Sequence, residues 1–289
     1  MFINKYRKAR EKNNSILVVG LDSDIDKIPK RFKGILEFNE HIVHETADLV
    51  CAYKINIAFY EKLGWKGYKV MEETIELIKQ STNVPIILDA KRGDIGNTAK
   101  AYAEAYFEKL KVDSVTVNPY MGRDAIIPFL EKGHAFILLL TSNKSADEIE
   151  VPVYSRVLEL SKELELAYPK KVGIVVGATK EEFIGEISDK SGNLPWLLPG
   201  IGAQGGNPEI LRSLKLPKNC ILKVNIKEVE KELNISYPTV RRRLDQLLTQ
   251  LGLEAPRTLS SEEKVEILER LERGEIKVDE AIRLLGEGH

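Results

Sequence analysis

The stretch VPIILDAKRGDIGNTAKAYAEAYFEKL, residues 84–110, holds one complete structural unit. An apolar run, PIIL (85–88), is followed at once by Asp89, Lys91 and Asp94. The chain then continues as NTAKAYAEAYFEKL (97–110), rich in helix formers and opened by Asn97, a good N-cap. A buried strand, a charged turn and a covering helix make the repeating unit of an α/β chain.

Seven further β-rich runs share the pattern: ILVVGLD (16–22), AYKINI (52–57), SVTVNP (114–119), AFILLLTS (135–142), VGIVVGAT (172–179), WLLPGI (196–201) and CILKVN (220–225). Most are continuous rather than alternating, as expected of parallel strands covered on both faces. Helical patterns lie between several of them. In YKVMEETIELIKQ (68–80), Val70, Met71, Ile75 and Ile78 recur with a period near 3.6. Eight strands with helical connections predict a (β/α)8 TIM barrel, with a doubly wound open sheet as the rival reading. The chemistry-bearing residues Asp22, Lys54, Asp89, Lys91, Asn118, Thr141 and Gln204 fall at strand ends. In a barrel those ends converge on one face, where active sites are built.

The chain has 289 residues, which suits one large domain with a small appendage. Hydrophobic residues at 43% can build a core, and charged residues at 30% can solubilise it. A net charge of -1 exerts no global pull toward nucleic acid or membrane, so any basic site must be local. Cys51 and Cys220 sit beside apolar residues and read as buried reduced thiols. The start, MFINKYRKAREKNNS, is charged and lacks an apolar signal core. The longest apolar run, AFILLL, is too short to span a bilayer. A soluble cytoplasmic protein without membrane contacts is expected. His41, His44, His134 and His289 read as surface or helix-face residues, and Trp65 and Trp196 as packing residues. Gly200, Gly202, Gly205 and Gly206 read as a ligand loop, with simple turn glycines as the alternative.

The character changes after Asn225, so the expected domains are a barrel over 1–225 and an all-α extension over 226–289. In IKEVEKELNISYPTVRRRLDQLLTQL, Val229 and Leu233 form one apolar face, and Val240, Leu244, Leu248 and Leu251 form a second. Ser236 can cap the second helix, and Pro238 is tolerated in its first turn. Helix, tight turn and helix is helix-turn-helix grammar. The tail opens with a capping box, Ser260 to Glu263, and Gly274 breaks it into a helical hairpin. Tyr237, Thr239, Arg241 and Arg242 stand where a recognition helix would meet DNA, although acids outnumber bases over 226–289. A protein-interaction module and an inert helical cap are the competing readings of this segment.

Asp89 and Lys91 are two apart, so in an extended strand both project to one side. Asp94 follows Gly93, where the chain can turn freely. A lysine flanked by carboxylates stays protonated. It suits donating a proton or stabilising a developing anion, and suits a general base poorly. The bland alternative is a solvated ion-pair cluster at a strand end.

LDAKRGDIGNTA (88–99) resembles the D-x-K-x-x-D-I-x-x-T signature of the orotidine 5′-phosphate decarboxylase family. VGLDSD (19–24), YKINIAFYE (53–61), VNPYMGRDAIIPF (117–129), LLTSN (139–143), VVGAT (175–179) and PGIGAQGG (199–206) resemble other motifs of its longer bacterial branch, in the same order, across about residues 1–215. The resemblance implies decarboxylation of orotidine monophosphate to uridine monophosphate in pyrimidine biosynthesis, with neither metal nor organic cofactor. It implies that Lys91 stabilises and protonates the C6 carbanion. Asp89 would sit beside the departing carboxylate, Lys54 would hold Asp89 and the ribose, and Asp22 and Asn56 would lie nearby. Asp94 and Thr98 would come from the other subunit of a homodimer. Thr141 or Ser142 would contact the pyrimidine and Gln204 the phosphate. Ile95, Asn118, Pro199 and Gly205 complete the implied substrate site. A related decarboxylase acting on a sugar phosphate fits GIGAQGG and VNPYMG less well.

One departure stands out. Beyond the eighth strand the family reads Asn-x-Ser-Arg, and that arginine grips the substrate phosphate. Here VNIKEVEKEL offers Asn225 but no arginine, so weakened activity is expected unless Lys227 or Arg212 substitutes. A non-catalytic barrel that senses a pyrimidine nucleotide and presents a DNA-binding helix-turn-helix is the alternative function. Residues 219–289 resemble a helix-turn-helix family of unknown function, without the zinc-ribbon cysteines that usually precede it.

Overall fold

Eight parallel strands close on themselves in the computed structural model, which describes residues 1–200 and 220–225 together with Thr249, Arg270, Leu271 and Arg273. The strands are β1 (Leu17–Gly20), β2 (Ala52–Asn56), β3 (Ile86–Arg92), β4 (Ser114–Val117), β5 (His134–Leu140), β6 (Val172–Val176), β7 (Trp196–Leu198) and β8 (Cys220–Asn225). Each pairs with its neighbour in chain order, and β8 returns to β1 through Leu17↔Leu222 and Gly20↔Asn225. The closed barrel rules out the open-sheet alternative.

The helices are α1 (Phe2–Asn13), α2 (Ile35–Thr46), α3 (Ala58–Glu61), α4 (Gly64–Ser81), α5 (Gly96–Glu104), α6 (Ile127–Lys132), α7 (Ala146–Ala167) and α8 (Glu181–Ser191). On α4 the periodic residues Met71, Ile75 and Ile78 are buried, as the pattern requires. The cap of α5 differs from expectation. Its N-cap is Ile95 in extended backbone, so Asn97 lies inside the first turn and does not cap. Gly96, at φ 57°, takes the left-handed conformation where the loop enters the helix.

Alternation along each strand sorts side chains into two layers. Outward residues such as Leu17, Val19, Tyr53, Ile55, Ile86 and Leu88 pack under the helices. Val18, Ala52, Ile87, Phe136, Val175, Leu197 and Ile221 form a second cluster that fills the barrel interior. Phe2, Ile3 and Tyr6 of α1 join it and close the N-terminal end of the barrel. Phe2 meets Phe136 edge-on with ring centroids 5.4 Å apart, and Tyr6 Oη donates to the Cys220 carbonyl at 3.4 Å.

Two side chains depart from expectation here. His134 is not on the surface: it is buried at the start of β5, 4.5 Å from the Phe2 ring, with Nδ1 2.8 Å from Ser114 Oγ. Burial pushes its pKa down to about 3, so the ring is neutral. Trp196 packs in the core, but Trp65 is 74% exposed on α4 and packs against no core. Cys51 and Cys220 are buried free thiols. Among the described residues no helix is long and apolar enough to cross a membrane. The helix-turn-helix and hairpin expected within 226–289 lie outside the described residues.

Candidate active site at the C-terminal mouth of the barrel

The inward positions of the strands change character two residues further along. Lys54 follows Ala52, Asp89 follows Ile87, Thr116 follows Ser114 and Lys223 follows Ile221. Each of these polar side chains therefore projects into the lumen one layer above the apolar plug. With Asp22, just beyond β1, they line a cavity of about 470 Å³ whose wall includes Lys91, Thr141, Ser142 and Pro199.

The charges alternate along a chain. Lys54 Nζ donates to Asp22 Oδ1 and to Asp89 Oδ2, both at 3.0 Å. Lys91 Nζ donates to Asp89 Oδ1 at 2.6 Å, and Lys223 Nζ donates to Asp22 Oδ2 at 2.9 Å. Thr116 Oγ1 donates to Asp89 Oδ1 at 2.9 Å and accepts the Lys91 amide at 2.9 Å. Lys54 is 1% exposed, yet its two carboxylate partners outweigh the effect of burial and hold its pKa above the ordinary lysine value. Burial alone would raise the Asp89 carboxyl, but Lys54 and Lys91 overcome it and hold that group well below the usual carboxylate range. Asp22 is lowered in the same way by Lys54 and Lys223. Lys223 goes the other way, down to about 8, because burial and the like charge of Lys54 outweigh its attraction to Asp22.

Lys91 reaches Asp89 by an unexpected route. The β3–β4 register shifts between Leu88 and Arg92, and Lys91 itself has φ 46°. A bulge in left-handed backbone, rather than simple strand alternation, aims its ammonium. Such a conformation costs a non-glycine residue about 1–3 kcal/mol and is concentrated at functional sites. Arg92 turns away from the cavity. It pairs with Glu61 and Tyr106 Oη and stacks on Tyr102, which anchors the end of β3 to the helices.

Asp22 is fixed by its neighbours. The Leu21 amide donates to the Lys54 carbonyl at 2.7 Å, and Tyr60 Oη donates to the Leu21 carbonyl at 3.3 Å. Ser23 Oγ donates to Asn39 Oδ1 at 2.5 Å, and Asn39 in turn donates to Tyr60 and Thr74. On the opposite wall Gly177 lies against the loop after β5. A Cβ there would stand 2.7 Å from the Ser142 nitrogen, so only glycine allows that approach.

The other sequence-expected residues divide into three groups. Asn56, Thr141, Ser142 and Pro199 line the cavity. Asn56 Oδ1 accepts the Ala58 amide at 3.2 Å, and Thr141 gives both its amide and its hydroxyl to Glu150 of α7, the amide at 2.6 Å. Asp94, Ile95, Thr98 and Asn118 do not line it. Asp94 Oδ1 accepts the Ile95 amide at 2.8 Å, Ile95 and Thr98 are exposed, and Asn118 Oδ1 accepts the Tyr120 amide at 3.0 Å. Gln204, Gly205, Arg212, Lys227, Tyr237, Thr239, Arg241 and Arg242 lie outside the described residues. The sequence reading missed Thr116, Glu150 and Lys223. Alternation marks two of them, since Thr116 and Lys223 stand two places beyond Ser114 and Ile221. Glu150 carries no such signal, because a helix brings it to Thr141.

A (β/α)8 barrel with an alternating lysine–aspartate array at its C-terminal mouth has the layout of a barrel enzyme. The chain belongs to the orotidine 5′-phosphate decarboxylase / HUMPS family, whose model matches residues 15–232. It is 43% identical over 223 residues to an orotidine 5′-phosphate decarboxylase of Herpetosiphon aurantiacus, covering 72% of this chain and 82% of that one. It is 42% identical over 227 residues to the enzyme of the same name from Christiangramia forsetii, covering 74% and 83%. A crystal structure of a candidate orotidine-monophosphate decarboxylase from Toxoplasma gondii superposes with a TM-score of 0.76 at 34% identity, covering 86% of this chain and 97% of that one. These relatives favour the catalytic reading over a nucleotide-sensing barrel. A second model, a helix-turn-helix domain of unknown function (DUF2089-HTH), matches residues 225–254.

Proposed function

We propose that the chain decarboxylates orotidine 5′-phosphate to uridine 5′-phosphate. The observation that carries this reading is the array of Lys54, Asp89 and Lys91, anchored at Asp22 and open to a cavity at the barrel mouth. Loss of CO2 breaks the C6–carboxyl bond and leaves its electron pair on C6. No π system accepts that pair, so a fixed ammonium in a preorganised site is the appropriate stabiliser. Lys91 then gives C6 its proton and is reprotonated from solvent. Asp89, kept ionised by its two lysines, faces the substrate carboxylate and disfavours the ground state more than the transition state. Lys54 holds Asp89 and the ribose with Asp22 and Asn56 nearby, Thr141 or Ser142 contacts the pyrimidine, and Pro199 lines the same substrate site. Gln204 and Gly205 take the phosphate, and the missing arginine beyond β8 raises KM.

The functional unit is a homodimer in which Asp94 and Thr98 complete the neighbouring site. Their position outside this chain's own cavity supports that reading, as do exposed Ile95, Tyr120 and Met121 in the loops after β3 and β4. The chain divides into a barrel over 1–225 and a helical extension over 226–289. Tyr237, Thr239, Arg241 and Arg242 of the extension contact DNA, which a gel shift weakening between low and moderate salt tests. The enzyme works in the cytoplasm. Incubating the purified chain with orotidine 5′-phosphate in D2O tests the reaction itself. Deuterium at C6 of the uridine 5′-phosphate formed is expected, and absence of product sinks the assignment.

A further inference from the structure

Lys223 is a buried cation on β8 with no direct part in the bond-breaking or proton-transfer steps. It stands two residues beyond Ile221, points into the lumen and donates to Asp22 Oδ2 at 2.9 Å. Asp22 Oδ1 takes Lys54 at 3.0 Å, so each oxygen of this carboxylate is held by a different lysine. Five groups thus alternate in sign across the cavity floor in the order Lys91, Asp89, Lys54, Asp22, Lys223. Lys91 and Lys223 are the two ends of one array, and Lys54 is its centre.

We infer that Lys223 is a positioning residue for the proposed decarboxylation: it pins Asp22, which fixes Lys54 and through it Asp89, and it keeps the array from becoming net negative. The inference rests on the decarboxylase reading and deepens it. The geometry gives two reasons. First, a carboxylate gripped at one oxygen can rotate, whereas one gripped at both cannot, and among the described residues Asp22 and Asp89 are the carboxylates that orient Lys54. A small displacement at Asp22 would pass through Lys54 to Asp89, and misplacement by about 1 Å near reacting groups can cost about 10²-fold in rate. Second, three ammonium groups face two carboxylates. With the Asp94 carboxylate that the homodimer reading adds, loss of the Lys223 charge would leave the site net negative, a poorer setting for an anionic substrate and a developing carbanion.

The charged groups facing Lys223 among the described residues are Asp22 beyond β1, Lys54 on β2 and Asp89 on β3, while Leu197 of β7 is apolar. Burial and the Lys54 charge bring its pKa to about 8, against the attraction of Asp22 and Asp89. The array therefore loses one positive charge within an accessible pH range.

The test is the pH profile of kcat/KM for the full chain and for Lys223→Met and Lys223→Arg, with melting temperatures as a check on folding. The unaltered chain should lose activity above an inflection near pH 8. Lys223→Met should lie about 10- to 100-fold lower, mostly in kcat, and lack that inflection. Lys223→Arg should recover much of the rate and push the inflection upward. Turnover by the unaltered chain with Lys223→Met within about twofold of it, or with the inflection kept in either variant, overturns the inference and leaves the decarboxylase reading standing. A rise in KM alone overturns it too, by making Lys223 a grip on substrate. Should Lys223→Met fail to fold, Lys223→Arg decides alone by whether its inflection moves. No turnover by the unaltered chain overturns both readings.

Discussion

Lys91 Nζ lies 2.6 Å from Asp89 Oδ1 although the Lys91 backbone turns through left-handed space at φ 46°. A residue with a Cβ is held there at a cost, so the backbone and the ammonium can be tested separately. Lys91→Ala and Lys91→Gly both remove the ammonium, but only glycine relieves the strain. Lys91→Gly should be the more stable of the two by about 1 kcal/mol in urea denaturation. Equal stability would mean that the left-handed turn carries no strain.

Lys54 separates two buried carboxylates, and removing it leaves them facing each other. Lys54→Met should destabilise the barrel by about 3–5 kcal/mol at neutral pH. The sign of its pH dependence is fixed. Asp89 has a folded pKa below its unfolded value, so its favourable contribution is present above about pH 4 and lost as the pH falls further. The gap between variant and wild type should therefore narrow below pH 4. A gap that widens there would contradict the electrostatic account.

His134 is buried neutral with a pKa near 3, while an unfolded histidine titrates near 6.5. The unfolded chain binds the extra proton between those values, so stability falls as the pH drops below about 6.5, by up to about 1.4 kcal/mol per pH unit from this group. His134→Leu removes that loss. Thermal melts at pH 7 and pH 5 should show a smaller drop for the variant than for the wild type, whatever their difference at pH 7.

Asp94 does not reach the cavity of its own chain. If it serves a neighbouring site, Lys91→Ala and Asp94→Ala should each be inactive alone and recover activity when mixed after unfolding and refolding. Random assortment makes half the dimers mixed with one intact site each, or about one quarter of all sites. No recovery would place Asp94 outside the reaction.

The barrel was legible because most strands are continuous apolar runs and several crossovers carry a helical period, signals that tertiary packing reinforces. The site was legible at Asp22, Lys54, Asp89 and Lys91, whose positions close those runs. Lys223 was hidden inside such a run, where CILKVN reads as core unless alternation is traced inward from Ile221. The route of Lys91 was hidden because a bulge depends on the β3–β4 register, a relation between distant segments. His134 was misread because its cover, Phe2, comes from the far N-terminus. Glu150 escaped for a similar reason: only the path of α7 brings it to Thr141.

The central claim is that the Lys91 ammonium, held by Asp89, carries the chemistry. Its most direct test is the rate of CO2 release from orotidine 5′-phosphate by the full chain and by Lys91→Ala, with uridine 5′-phosphate binding measured for both. The wild type should turn over and Lys91→Ala should lose at least about 10²–10³-fold in kcat while still binding the product. Release of CO2 by Lys91→Ala at the wild-type rate, or none by the wild type, would contradict the account.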